Sequence, residues 1–225
     1  MTTIVLVHGA WHGGWCWEHL TPRLDQAGLA HVEVDLPFTG HLDDVRCVRD
    51  ELDRIDGPKV LVGHSYGGLV ISGAAADRDD ITHLVYLCAF LFEEGHTVGD
   101  ELSGAIPAPL IDAMEWLPDG RSGIIAAKAT AAFFAASPAE LAQAAITRLR
   151  PIDAATTTHP CLAEPWRTIP TTYVICEQDE AISAEAQHRM AARADQVVSL
   201  DTDHSPFVSA VGETAAIIVD AASAG

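Results

Sequence analysis

Positive charge is scarce in this chain: 13 Lys and Arg stand against 32 Asp and Glu, a formal net charge of −19. So acidic a surface repels phosphate backbones and anionic lipid, and neither nucleic acid nor a membrane is the expected partner. Long apolar runs are missing as well. Met1-Thr2-Thr3 leads straight into the short run Ile4–Val7 with no basic stretch before it, so neither a signal peptide nor a membrane span is expected. Cysteine is sparse. The five Cys, at 16, 47, 88, 161 and 176, are odd in number and lack C-x-x-C spacing, which favours free thiols in a reducing, cytoplasmic setting. There is no internal repeat and no low-complexity tail beyond Ala-rich helical stretches. What remains is 225 residues, 48% of them hydrophobic, enough for one sizeable core as a single domain or a domain with an insertion.

The chain turns on the stretch from Lys59 to Gly68. The apolar run Val60–Val62 meets Gly63-His64-Ser65-Tyr66-Gly67, a G-x-S-x-G sequence, and Leu69 to Ala76 continues as a buried helix. Strand, Gly-bounded Ser and helix, in that order, are the parts of a nucleophile elbow. So tight a turn admits only very small residues two before and two after the Ser, which Gly63 and Gly67 supply. The following helix aims the positive end of its dipole at the Ser.

Around this stretch, short apolar runs alternate with amphipathic segments. Ile4–Val7, Ala30–Val34, the elbow strand, Ile81–Leu87, Thr171–Cys176 and Gln196–Leu200 read as strands. Helices are expected over about 18–27, 42–55, 184–193 and 206–222. The economical architecture is α/β: a doubly wound, mostly parallel sheet of about six strands, with ligands at the carboxyl ends of the strands. From about Leu91 to Arg167 prolines interrupt the pattern. Residues 91–167 are therefore read as an inserted helical cap, and 1–90 with 168–225 as the core. Ser137-Pro138-Ala139-Glu140 reads as the start of a cap helix running to about Arg150, with Ser137 as its N-cap. Trp116, Phe133, Phe134 and Trp166 are candidates for the roof of an apolar pocket, or for plain packing of the cap onto the core.

A serine hydroxyl attacks only when a base takes its proton, and the base needs an orienting carboxylate. Both are sought at later strand ends, in the order Ser, Asp or Glu, His. Asp179 follows the fifth strand and His204 the sixth, at the same sheet edge as Ser65. Glu177 lies too close to its strand and Glu180 would face the other way. Asp201 and Asp203 are expected to shape the loop that holds His204. His64 is expected to point away from Ser65, and His8 to brace its own loop. His8 and His12 have i, i+4 spacing, but their Gly-rich segment cannot be helical, so no metal site is expected there. An oxyanion needs two backbone N–H groups, assigned to Tyr66 and to Ala10 in the loop after the first strand. Trp11 beside Ala10 is a candidate wall of the acyl pocket.

These residues together resemble the α/β-hydrolase superfamily, most nearly its plant methylesterase and hydroxynitrile lyase group with their bacterial esterase relatives. The likeness rests on the stretch from Val7 to Trp17, on Gly63 to Gly68, on Cys176 to Ile182 and on Asp203-His204, and spans nearly the whole chain. It implies a triad of Ser65, Asp179 and His204, oxyanion donors at Ala10 and Tyr66, and no cofactor. Lyases of this group carry Thr after the first-strand His and Lys after the catalytic His; this chain has Gly9 and Ser205, which favours hydrolysis. The expected function is cleavage of small carboxylic esters through an acyl-enzyme. The alternatives are a hydroxynitrile lyase and a non-catalytic ligand receptor on the same fold. The expected partner is a small-molecule ester, and a homodimer is compatible with the sequence.

Overall fold

The computed structural model describes residues 2–224, and in it the apolar runs form one six-stranded sheet. The first half of the chain runs β1 (Thr3–Val7), α1 (Thr21–Gln26), β2 (Ala30–Val34), α2 (His41–Leu52), β3 (Lys59–His64), α3 (Gly67–Ala75) and β4 (Ile81–Leu87). Between β4 and the next sheet strand come α4 (Val98–Leu102), α5 (Ala108–Ala113), β5 (Met114–Trp116), β6 (Ser122–Ile124), α6 (Ala126–Phe133), α7 (Ala139–Ile146) and α8 (Ala155–Thr158). The sheet resumes with β7 (Thr171–Cys176), α9 (Ala184–Ala191) and β8 (Gln196–Leu200), and the chain closes with α10 (Pro206–Ser209) and α11 (Val211–Ser223).

The strand order is β2-β1-β3-β4-β7-β8, and every pairing in this sheet is parallel. Alternate residues of a strand face opposite sides, and both sides are covered. Ile4, Leu6, Val60 and Val62 join Leu24 of α1 and Ile218 of α11 in one apolar cluster. Val5, Val7 and Leu61 join Val45, Val48 and Leu52 of α2, most of α3 and Met190 of α9 in the other. All nine residues of α3 are buried, including its one polar side chain, Ser72, whose hydroxyl donates to Gly68 O at 2.8 Å. The order reverses between β1 and β3: β1 is followed in the chain by its neighbour on one side, β2, and β3 lies on the other. Such a switch point opens a crevice at the carboxyl ends of the strands, and the loops leaving β1 and β3 meet there.

Several expected elements take another form. The helix after the first loop breaks into a 3-10 turn at Gly14–Trp17 and a shorter α1, with Pro22 in its first turn, where a missing N–H costs nothing. The segment between β4 and β7 contains, besides helices, the antiparallel β5–β6 hairpin. Ser137 does not cap α7; its hydroxyl donates instead to Asp203 Oδ2 at 2.9 Å, and the helix stops at Ile146. The last helix is interrupted at Ala210, whose φ of −136° and ψ of 46° divide α10 from α11. Among the described residues no helix is long and apolar enough to cross a membrane.

Candidate active site

Ser65 leaves β3 with φ +52°, a left-handed conformation that a side chain adopts at a cost of about 1–3 kcal/mol. Its surroundings hold it there. Its N–H donates to Leu87 O (3.2 Å), and its carbonyl accepts from the Gly68 and Phe90 N–H groups, both at 3.0 Å. The flanking glycines are required by close approach. A Cβ on Gly63 would lie 2.7 Å from Gly67 O, and one on Gly67 would lie 2.5 Å from Val7 O. The elbow is therefore pressed against both β1 and the start of α3.

His204 sits on the loop after β8. Its ring Nδ1 lies 2.6 Å from Asp179 Oδ2, with both side chains buried. The carboxylate is fully engaged. Oδ1 accepts from the Ala181 N–H (2.7 Å) and the Ile182 N–H (2.8 Å), and Oδ2 also accepts from Gln187 Nε2 (2.8 Å). Gln187 is itself oriented, since its Oε1 accepts from the Cys176 N–H and its Nε2 donates to Ile182 O. Glu177 instead meets His188 at the surface, and Glu180 is exposed. On the other side, the His204 carbonyl accepts from His64 Nε2 at 2.8 Å. Asp203 accepts from the Ser205 N–H and Ser209 hydroxyl on one oxygen, and from the Ala136 N–H and Ser137 hydroxyl on the other.

Ser65 and His204 line one cavity of about 90 Å³, together with Ala10, Trp11, Tyr66, Phe90, Leu110, Phe133 and further apolar side chains. Thr157 adds a hydroxyl, and among the described residues no carboxylate, ammonium or guanidinium group lines it. Trp116 does not reach this cavity. It stands 67% exposed at the last position of β5, next to the hairpin turn, while Met114 and Ile124 at the other end of the hairpin pack against the core. Phe134 is buried beside His12, and Trp166 donates its indole N–H to Phe92 O, so both pack the segment down rather than roof the cavity.

The backbone N–H groups of Ala10 and Tyr66 find no protein acceptor among the described residues. Tyr66 is anchored away from the cavity: its hydroxyl donates to Asp44 Oδ2 (2.7 Å) and lies 3.1 Å from His41 Nδ1. Asp44 Oδ1 accepts from the Phe38 N–H at 2.8 Å. Burial raises the Asp44 pKa and lowers that of His41 to about 4. His8 accepts the Leu36 N–H on Nε2 (3.0 Å), so its Nδ1 carries the proton donated to Gly9 O (2.9 Å).

Two features of this scaffold have no short-range sequence signal: Gln187 behind Asp179, and the contact of His64 with the His204 carbonyl. His64, Cys88 and His204 bring ligand-type atoms within 4.8 Å of one another. Three of their atoms, His64 Nε2, Cys88 Sγ and His204 Nδ1, already have partners, whereas His64 Nδ1 has none among the described residues. His64 and Cys88 both face the His204 carbonyl, and the His204 ring faces Asp179.

Burial also sets an acid limit on the fold. It pushes His12 down to about 3 and His64 well below its ordinary value, in each case mainly by desolvation of the charged ring. Below about pH 6.5 the unfolded chain binds protons that the native chain refuses. Stability from these rings is thus complete above about pH 6.5 and declines as pH falls toward about 4 for His41 and about 3 for His12. Each ring contributes roughly 1.4 kcal/mol of loss per pH unit in that window, so His12 and His41 cost roughly 2 kcal/mol each at pH 5. Urea titrations at pH 7.5 and pH 5 are expected to show a clearly lower midpoint at pH 5. Equal midpoints would mean these rings are protonated in the native state.

A parallel doubly wound sheet with a Ser at a strained βα turn defines the chain's class, and comparison with known proteins agrees. The profile of the alpha/beta hydrolase family matches residues 4–217, and the chain belongs to that family. It is 28% identical to methylesterase 1 of Arabidopsis thaliana, over 90% of this chain and 89% of that one. A carbendazim-hydrolyzing esterase of Nocardioides sp. (strain SG-4G) is 41% identical over about half of each chain, 48% of this one and 50% of that one. The crystal structure of a pyrethroid hydrolase from Sphingobium faniae JZ-2 superposes with a TM-score of 0.88 at 26% identity, covering 99% of this chain and 98% of that one. The resemblance read from the motifs, to plant methylesterases and bacterial esterases, therefore holds.

Proposed function

We propose that this chain is a carboxylic ester hydrolase that works through an acyl-enzyme on Ser65. His204 takes the Ser65 proton on Nε2 as the hydroxyl attacks the ester carbonyl, then returns it to the departing alcohol. Asp179 holds Nδ1–H, which fixes the tautomer and stabilises the imidazolium as it forms. The N–H groups of Ala10 and Tyr66 receive the oxyanion. Water then enters and His204 repeats the proton transfer to release the acid. The observation that carries this reading is the 2.6 Å contact of Asp179 with a His204 ring that shares one cavity with Ser65. The esterase relatives over most of the chain's length support the same chemistry.

Hydrolysis is favoured over hydroxynitrile cleavage by the space around residue 9. A Cβ on Gly9 would lie 2.8 Å from both Ser65 Cβ and His64 Nδ1, leaving no room for a threonine. Position 205 is a fully buried Ser, so no cation stands there to hold cyanide. Residues 91–167 act, in this reading, as a cap on the core formed by 1–90 and 168–225, and supply Leu110 and Phe133 to the cavity.

The apolar lining and modest volume favour uncharged esters with a short or compact acyl group. Across p-nitrophenyl esters of graded chain length, kcat/KM is expected to peak at short acyl chains and fall for long ones. Esters bearing a carboxylate on the acyl chain are expected to be poor substrates, since a charge would enter a cavity with nothing to pair it. Preference for long-chain or anionic esters would count against this assignment of the cavity.

A further inference from the structure

The loop from Gly9 to His12 turns its carbonyls to fixed partners. Gly9 O accepts from His8 Nδ1 (2.9 Å) and from the His12 N–H (3.4 Å). Ala10 O lies 2.9 Å from His12 Nδ1. The next two carbonyls are both taken by one distant residue: Trp11 O accepts from the Arg150 backbone N–H at 2.8 Å, and His12 O from the side-chain Nε of Arg150 at 3.0 Å. Among the described residues, the His12 N–H is the loop's one N–H with a protein acceptor, and of those left without one the Ala10 N–H belongs to a residue that lines the cavity.

Arg150 comes from the segment between β4 and β7, just past α7. Its guanidinium also donates through Nη2 to Leu36 O (2.7 Å) and Asp35 Oδ1 (3.0 Å), and lies 4.8 Å from the centre of the Phe38 ring. Charge pairing does not account for this arrangement. Asp35 is 63% exposed, and a pair so open to water contributes little. The other acceptors are neutral carbonyls on two loops, matched by a rigid planar fork that a lysine lacks. Trp11, between the held residues, has φ +61°. A non-glycine residue persists in that conformation only where its surroundings over-determine it.

We propose that Arg150 is a positioning residue for the oxyanion-binding loop. Its side chain holds the His12 peptide turned outward through Nε, beside the Trp11 carbonyl that its backbone N–H holds, so that the Ala10 N–H stays aimed into the cavity. Of these two holds, substitution of the side chain removes that on His12 alone. The seating of the inserted segment is thereby coupled to the rate of the chemical step. This rests on the reading of Ala10 as an oxyanion donor. Arg150 touches no reacting atom; it acts through the loop, and its loss is felt only where charge develops on the carbonyl oxygen.

The test uses the full chain with Arg150→Lys, Arg150→Met and, as control, Ser65→Ala. Readouts are kcat and KM for a short-chain p-nitrophenyl ester, and the Ki of a trifluoromethyl ketone of matching acyl length, which forms a tetrahedral oxyanion adduct. Arg150→Lys is expected to fold, because an ammonium can still hold one carbonyl and Asp35. Its kcat is expected to fall about 10-fold, and that of Arg150→Met about 100-fold, with KM within about 3-fold of the parent. The Ki of the ketone is expected to rise by the factor by which kcat/KM falls. A parental kcat, a loss confined to KM, or a lowered kcat with unchanged Ki overturns the proposal. If Arg150→Met does not fold, Arg150→Lys alone decides. An active Ser65→Ala would instead bring down the esterase mechanism; an inactive one beside parental Arg150 variants removes only this inference.

Discussion

Ser65→Ala is expected to fold like the parent and to lose ester hydrolysis by about 10⁴-fold or more. Folding survives because the hydroxyl holds nothing up. The residue's structural bonds are made by its backbone, through Leu87 O, the Gly68 N–H and the Phe90 N–H. Removing a small side chain at φ +52° adds no crowding. Chemistry fails because the hydroxyl that the elbow presents to the cavity shared with His204 is gone. Members of such a triad act as a unit, so the residual rate reflects only the oxyanion donors and substrate binding. Rates with a short-chain p-nitrophenyl ester and a thermal melt check both halves. Parental turnover in a well-folded Ser65→Ala protein is the outcome that ends the mechanism.

The second large effect is expected from Asp179→Asn, about 10⁴-fold in kcat with the fold retained. The hydrogen-bond pattern gives the reason. An asparagine can keep its oxygen on the Ala181 and Ile182 N–H groups, which Oδ1 now serves. Its NH₂ then meets Gln187 Nε2 and His204 Nδ1 in place of Oδ2. Gln187 cannot turn to offer its oxygen, because that oxygen is held by the Cys176 N–H and its nitrogen by Ile182 O. The His204 ring must yield, moving its proton to Nε2 and presenting a bare Nδ1. That tautomer cannot accept the Ser65 proton. The unpaired donors cost about 1–3 kcal/mol of stability. A kcat within 10-fold of the parent would mean that Asp179 does not set the His204 tautomer.

The fold was legible where local pattern decides. Short apolar runs are strands where a sheet is buried on both faces, and Ile81–Leu87 and Thr171–Cys176 appear as expected; Gln196–Leu200 also appears, as the edge strand with no residue fully buried. The Gly-bounded Ser was legible because a tight turn leaves so few residue choices. Elements whose form depends on a distant partner were not. Ser137 has the spacing of a helix cap, yet Asp203, remote in sequence, takes its hydroxyl. Trp116 looks like a pocket residue by type, but it ends its strand beside the hairpin turn and stands exposed there. Gln187 and Arg150 show nothing unusual along the chain, and only the fold brings an amide to Asp179 and a guanidinium to the loop after β1. Composition and period specify which face is buried; they do not specify which polar group waits on the other side.

The central claim is a covalent bond between Ser65 and the acyl half of the substrate. The most direct measurement is rapid acid quench during turnover of a p-nitrophenyl ester, followed by mass spectrometry of the intact chain and its peptides. The expected result is a mass increase of one acyl group, located on the peptide that carries Ser65 and missing from Ser65→Ala. Steady hydrolysis with no adduct under conditions that trap a burst of p-nitrophenol, or an adduct on another residue, would contradict it.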